Sequence, residues 1–462
     1  MDLNKTRRFV ILSMPLYFGW LLSFPYYGPV FEVAITPYAG EHSLFLFFAV
    51  THGLTYLLAG LFIRDINTGV KMMWVGLLAT FLTNAVLLLQ QDILWLPAMV
   101  IFGFSSSLFV LGWCCFYSLF IPQIGRLKIM AAVMILANGV FILFNLISSF
   151  LYAQVVLALA LLPLFGVGLL LYRFNIPYLK TSKSIKKTVN VPKPLLVIIC
   201  LFVFALYLNG GLMFRIIIPS MDVQIPLAFY YRFIIYILVL IIMYLYGEKL
   251  QKLFSIYMTV SLLGLAFVSF ALISELAAGF ILTVGLLEAA FAFLDLSVWV
   301  TLGSLAFLYK APFHFFGLAL AANLGGIILG DLFGEVLLQS GESIRLMTAL
   351  FASLSIFIVL FIVPWISRQI DDSLPGIFEE KASNYNLTGN DLGKLEAHLM
   401  PGQKLTPREM EITSLIIKGY TNKDIAEKLH VSPNTIKTHL KNIYNKFGIK
   451  KKKELIKMSS FV

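Results

Sequence analysis

The feature that most constrains this chain is a repeating one: long apolar runs, each near twenty residues, separated by short polar breaks. A bilayer core of about 30 Å needs about 20 apolar residues at 1.5 Å of helical rise each. Twelve runs reach that length. Six lie at roughly 9–31, 43–63, 72–90, 95–121, 129–150 and 154–172, and six more at roughly 195–218, 226–246, 253–273, 277–303, 314–338 and 346–366. Composition agrees: of 462 residues 59% are hydrophobic and 13% charged, where soluble domains carry about 45–50% and about 25%.

The polar breaks orient the runs. With Met1 in the cytoplasm, the inner segments hold Lys5, Arg7, Arg8, Arg64, Lys71, Arg126, Lys128, six cations from Arg173 to Lys193, Lys249, Lys252 and Lys310, sixteen in all. The outer loops hold only Arg345. Positive charge resists translocation. The expectation is a multi-pass protein of the inner, cytoplasmic membrane with both termini in the cytoplasm. The first run begins at Phe9 and no small-residue cleavage site closes it, so it is not read as a cleavable signal peptide. Cys114, Cys115 and Cys200 lie inside apolar runs and read as small buried hydrophobes, not as a disulfide framework or a zinc site. No cofactor or metal is expected. Without a metal-ligand cluster, phosphate loop or nucleophile–base motif, the chain is not read as an enzyme.

Six runs, a cationic stretch "RFNIPYLKTSKSIKKTVNVPKP" and six further runs form a layout that resembles the major facilitator superfamily over residues 1–366. The stretch "GLFIRDINTGVK" resembles that family's glycine–acid–arginine loop, with Gly60, Asp65, Gly69 and Lys71 roughly in place. The order at Arg64–Asp65 is reversed and the closing basic pair is incomplete; an ordinary positive-inside loop accounts for the same residues. The resemblance implies an all-α, twelve-helix membrane bundle of two halves with inward- and outward-leaning forms.

Ionisable residues inside spans are costly, so they pair or line a cavity. The second half contains Arg215, Arg232, Glu288, Asp295, Asp331 and Glu335. Glu288 and Asp295 are seven apart and share a helix face. Two readings stay open. Either these charges line an outward-leaning cavity for a small-molecule ligand, or they are structural ion pairs. On the first reading, neutralising Arg232 or Asp331 abolishes a response to the ligand. His52, Asn84, Asn138 and Asn145 in the first half read better as interhelical hydrogen-bond partners.

Beyond the last run, residues 367–403 carry Gly, Pro, Asn, Ser and six acids with little periodicity, and read as a cytoplasmic linker with at most a short helix. As a flexible coil it would reach only about 35 Å. Residues 404–462 then carry thirteen Lys/Arg against five acids, most of the chain's net +11, as suits a segment that meets phosphates. Helix signals follow closely. Thr406, Pro407 and Glu409 make a capping box with Pro at the first helical position. Gly419 suits a helix end. Thr421 and Ser432 cap the second and third helices, and Gly448 stops the third. Ile412, Leu415, Ile416, Ile425, Ala426, Leu429, Ile436, Leu440, Ile443 and Phe447 make the inward stripes. The third helix presents Asn434, Thr435, Lys437, Thr438, Lys441, Asn442 and Lys446 away from its stripe, a basic, amide-bearing face that suits a major groove. A short last helix around 453–458 closes the bundle.

The words "LTPREMEI" and "KGYTNKDIAEKLHVSPNTIKTHLKNIYNKFGI" resemble the LuxR/FixJ/NarL-type helix-turn-helix domain of bacterial regulators. Residues 404–462 would then form a small four-helix DNA-binding domain. The resemblance implies base contacts from Lys437, Thr438 and Lys441, with Asn434 on the same face. It implies backbone contacts from Lys423, Ser432, Thr435 and Tyr444, and a homodimer through the last helix on DNA. The lysine-rich "KKKKELIKM" departs from that helix's usual pattern. No receiver domain is present in the sequence, so phosphorylation control is not implied. Together the two halves of the chain suggest a membrane-bound one-component transcriptional regulator. Its membrane domain would sense a small molecule, and its tail would bind double-stranded promoter DNA and recruit or block RNA polymerase. The other reading is a working secondary transporter that also carries a regulatory tail.

Overall fold

The computed structural model describes residues 3–26, 28–35, 41–65, 67–121, 125–174, 191–219, 228–250, 254–339, 343–384, 399–400, 402–417, 422–449 and 455. Every described element is helical; no strand occurs among these residues. The chain divides into two compact units, Met1–Ile366 and Ser367–Val462.

In the first unit the first half contains α1 (Leu3–Ser23), α2 (Pro29–Ile35), α3 (Glu41–Phe62), α4 (Thr68–Val86), α5 (Asp92–Phe120), α6 (Arg126–Ser148), α7 (Ala153–Leu159) and α8 (Leu161–Phe174). The second half contains α9 (Lys193–Leu212), α10 (Ala228–Tyr246), α11 (Phe254–Ile273), α12 (Ala277–Tyr309), α13 (Pro312–Gln339) and the part of α14 (Ile344–Asn384) up to Ile366. Eleven described helices are long and apolar enough to cross a membrane, α7 and α8 forming one such span. The remaining long helix, α1, carries Lys5, Arg7 and Arg8 in its first turns, which dilutes an otherwise apolar segment. Its Phe9, Val10, Met14, Tyr17, Trp20 and Leu21 are buried at helical spacing, so it packs as a member of the bundle. Helices satisfy their own backbone in lipid, and large apolar side chains such as Leu82 and Phe361 point outward, where lipid solvates them.

Several boundaries differ from the hydropathy reading, three of them for a clear physical reason. The first run does not continue to 31: α1 ends at Ser23 and α2 starts at Pro29, because Pro25 and Pro29 each lack an amide donor and disfavour a helical residue before them. The sixth run breaks at Ala160 between α7 and α8, where Pro163 withholds the amide that would bond to Leu159. The last run does not stop at 366. The helix begun at Ile344 continues to Asn384, so the coil expected from 367 does not apply to 367–384.

Polar side chains tie helices together inside the apolar bundle. Asn84 accepts from the Trp20 indole at 3.4 Å and donates to the Leu157 carbonyl at 3.0 Å, linking α4 to α1 and α7. His52 Nδ1 lies 2.8 Å from the hydroxyls of both Ser106 and Ser107, linking α3 to α5. Across the halves, α3 and α13 cross with Gly60 against Gly317; a Cβ on Gly317 would sit 2.6 Å from the Gly60 Cα.

The second unit contains α15 (Pro407–Ile417), α16 (Asn422–Lys428) and α17 (Pro433–Phe447). The expected inward stripes form its core, joined by Leu405, Ile449 and Leu455, with Leu429 partly buried beside them. The capping box is formed: the Thr406 amide donates to Glu409 Oε2 at 2.8 Å and the Glu409 amide to the Thr406 hydroxyl at 3.2 Å. Ser432 caps α17 by accepting from the Thr435 amide at 3.1 Å, and Gly448 ends it at φ 64°. Gly419, Thr421 and most of the expected last helix lie outside the described residues.

Candidate ligand cavity and nucleic-acid interface

Where the two halves of the bundle face each other they form a partly open cavity of about 360 Å³. Its walls include Phe18 of α1, Tyr56 of α3, Asn138 and Phe141 of α6, Tyr207 of α9, Arg232 and Tyr236 of α10, Glu288, Asp295 and Trp299 of α12, and Asn323 of α13. The spacing on α12 explains part of this set. Residues 288, 295 and 299 fall on one helix face, and that face turns inward.

Three of the six span charges converge here. Arg232 Nε bonds to Glu288 Oε1 at 2.6 Å, with both side chains under a tenth exposed. Asp295 accepts from the Tyr236 hydroxyl at 2.7 Å and from the Tyr207 hydroxyl. Asp295 also lines the cavity and is less buried than Glu288. The other three charges lie elsewhere. Arg215 pairs with Glu335 at 3.0 Å, more exposed, and neither lines the cavity. Asp331 sits one turn before Glu335 on α13 and also lies outside the lining. Asn138 reaches the cavity wall while its Nδ2 donates to the Met134 carbonyl of its own helix at 2.9 Å. The tyrosines that hold Asp295 escaped the sequence reading, because a phenol inside an apolar run looks like any core aromatic.

Beyond the cavity, toward the end where Arg64, Arg126 and Lys310 gather, the halves close. Gly303, one turn past Trp299, meets the Tyr117 ring. Arg126 is fully buried and donates to the carbonyls of Ser118 at 3.0 Å and Ile121 at 2.7 Å and to the Ser304 hydroxyl at 3.0 Å. Arg64 Nη1 meets His314 Nδ1 at 2.9 Å. In the same loop Asp65 accepts from the Asn67 amide at 3.0 Å and so shapes a turn.

On α17, Asn434, Thr435, Lys437, Thr438, Lys441 and Asn442 are exposed together, with Ser432 at the helix start and Tyr444 partly buried. The Ser432 and Thr435 hydroxyls lie 2.8 Å apart, and burial raises the Tyr444 phenol above its ordinary range. The Lys423 side chain lies outside the described residues. Lys446 leaves the expected face. Its ammonium bonds to Glu409 Oε2 at 2.6 Å and to the Lys404 carbonyl at 2.9 Å, so it clamps α17 to the start of α15. The reason is desolvation: Glu409 is buried, and a buried carboxylate draws the cation within reach.

Comparison with known proteins separates the same two parts. Residues 403–459 match the family described as bacterial regulatory proteins, luxR family. Over 56 residues the chain is 52% identical to the oxygen regulatory protein NreC of Staphylococcus aureus strain JH9, and equally to that of strain Mu3. Those residues are 12% of this chain and 26% of the relative, so the chain spans about a quarter of the curated relatives it matches. The bundle is similar to the human organic anion transporter MFSD10, with TM-score 0.57 and 15% identity over 78% of this chain and 100% of that one. It is similar also to FucP, a major facilitator superfamily transporter in the outward conformation, with TM-score 0.57 and 12% identity over 76% and 98%. A bacterial homologue of the iron transporter ferroportin, outward-facing, gives 0.58 and 11% over 80% and 100%. The C-terminal domain is thus a LuxR-type helix-turn-helix, and the multi-pass bundle has the major facilitator fold.

Proposed function

We propose that this protein is a membrane-bound one-component transcriptional regulator in which residues 1–366 sense a small molecule, residues 367–403 connect, and residues 404–462 bind promoter DNA. The observation that carries the reading is the co-occurrence, in one chain, of a LuxR-type domain and a cavity holding the buried Arg232–Glu288 pair beside Asp295. A bundle with two forms responds to a ligand that binds one of them better. That bias then changes how the tail meets DNA as a homodimer, and so whether RNA polymerase is recruited or blocked. Both termini face the cytoplasm of a cell whose inner membrane holds the bundle, a reading that the excess of cations in the inner loops supports. Lys437, Thr438 and Lys441 read base edges, with Asn434 on the same face; Lys423, Ser432, Thr435 and Tyr444 meet the DNA backbone. No catalytic step is assigned.

Sequencing DNA cross-linked to the intact protein tests this directly. Discrete promoter fragments are expected, and a reporter driven by one of them should lose its response in Asp295→Asn, with insertion and DNA affinity kept. Fragments spread evenly over the chromosome, or an Asp295→Asn variant that responds normally, would refute the reading.

The acids in the cavity favour one second reading, a working transporter with a regulatory tail. Glu288 and Asp295 face the central space that transport would use. Uptake of a labelled compound into vesicles, lost in Glu288→Gln, would favour transport; uptake absent from both proteins favours sensing alone.

A further inference from the structure

We propose that the cavity selects a small organic monocation carrying an aromatic or aliphatic body, held by charge at Asp295 and by cation–π contact at Trp299. This rests on reading the cavity as a ligand site and names the chemistry it would take.

The charges set the sign. Among the described lining residues the ionisable groups of opposite sign are Arg232, Glu288 and Asp295. Arg232 is already bound to Glu288 at 2.6 Å, and that buried pair is neutral as a unit. What remains is Asp295, whose oxygens receive two phenolic hydrogen bonds. Phenols satisfy the lone pairs of a carboxylate without cancelling its charge. Deep in a bundle surrounded by lipid, a residual charge is felt strongly. The cavity is therefore one negative charge in excess. An anionic ligand would meet that excess, and the cation that could hold it is occupied.

The walls set the rest. Trp299 lies four residues beyond Asp295 on α12, so indole and carboxylate face the same space. Phe18, Tyr56 and Phe291 complete an aromatic surround. Aromatic faces attract ammonium groups, Trp most strongly, and such surrounds bind quaternary ammonium ligands. A volume of about 360 Å³ falls in the range of small-molecule sites, about 300–1,000 Å³.

The test uses the full-length protein in lipid nanodiscs and three probes of similar size: benzylammonium, benzyl alcohol and benzoate. Calorimetry and tryptophan fluorescence read binding. The ammonium should bind, with benzyl alcohol and benzoate at least about tenfold weaker, the equivalent of about 1.4 kcal/mol. Asp295→Asn should erase that preference. Glu288→Gln with Asp295→Asn leaves Arg232 as the lone charge and should turn the preference toward benzoate, a gain that a misfolded variant cannot produce. Trp299→Phe should weaken the ammonium by severalfold and leave benzyl alcohol unchanged. Benzoate preferred by the parent protein, no ammonium binding up to its solubility limit, or Asp295→Asn binding the ammonium undiminished each overturns the proposal. Scoring the same probes on DNA occupancy keeps the two readings apart. Ammonium binding without a change in occupancy removes sensing and keeps the ligand class. Occupancy that answers benzoate while the ammonium does nothing removes the ligand class and keeps sensing.

Discussion

Single side chains carry much of the specificity. Glu409 is buried, satisfies the Thr406 amide and binds Lys446. Burial pushes its carboxyl up, but bonds from Lys446 and Thr406 outweigh that and hold it below its ordinary value of 4.5. A depressed folded value means that its contribution is present above the unfolded value and lost as the pH falls through the folded one. Glu409→Gln should therefore cost the DNA-binding unit about 2 kcal/mol at neutral pH and flatten the acid limb of its stability curve, which melts of residues 399–462 from neutral to acidic pH would show. Thr413 makes the opposite case: its hydroxyl is buried with no hydrogen-bond partner among the described residues. Thr413→Val should raise the same melting temperature by the equivalent of about 1 kcal/mol. In the bundle, Arg232→Gln alone strands Glu288 and should cost about 3–5 kcal/mol, whereas replacing both partners costs less; thermal unfolding in detergent ranks the two. The charges themselves stood out in the sequence, because an ion in an apolar run is conspicuous. Their partners did not, because which acid meets Arg232 depends on the register between α10 and α12, which no single run contains.

At the scale of elements, what could be read was whatever is encoded locally. Run length marked the spans, and capping residues marked α15 and α17, since Thr406, Ser432 and Gly448 act within a turn of where they stand. What could not be read was set by crossings. The break at Ala160 and the extension of α14 to Asn384 lie where proline position and helix continuation compete with hydropathy. The turn before α17 holds an instructive exception: His430 adopts φ 51°, a left-handed conformation that costs an L-residue about 1–2 kcal/mol. His430→Gly should relieve it and, after the added freedom of the unfolded chain, gain about 0.5–1 kcal/mol, with DNA affinity unchanged in a gel shift. The crossing of α3 and α13 forbids the reverse change. Any side chain at Gly317 meets the Gly60 backbone, so Gly317→Val should lower the yield of folded bundle in size-exclusion profiles while Gly139→Ala, in open space, does not.

For the whole molecule, two solvents meet in one chain, and each unit answers to its own. The exposed face of α17 that we propose meets DNA displays Lys437 and Lys441, so affinity should fall steeply with salt as counterions are released. Lys441→Ala should cost about 1–3 kcal/mol and relax sequence preference at one position if it reads a base; titrations against several duplexes at fixed salt would show it. Lys446→Ala, by contrast, should destabilise the unit while leaving the salt slope nearly unchanged. Composition and loop charge made this division visible before any coordinates, because lipid and phosphate demand opposite side chains.

Arg126 gives the division a practical handle. The fully buried guanidinium finds carbonyls and a hydroxyl, among its recorded hydrogen-bond acceptors no carboxylate, so dissolved ions have little purchase on it. Raising ionic strength should accordingly strip the tail from nucleic acid and leave the seal between the helical halves as tight as before, an orthogonal dial that lets one end of the polypeptide be silenced while the other is still being measured.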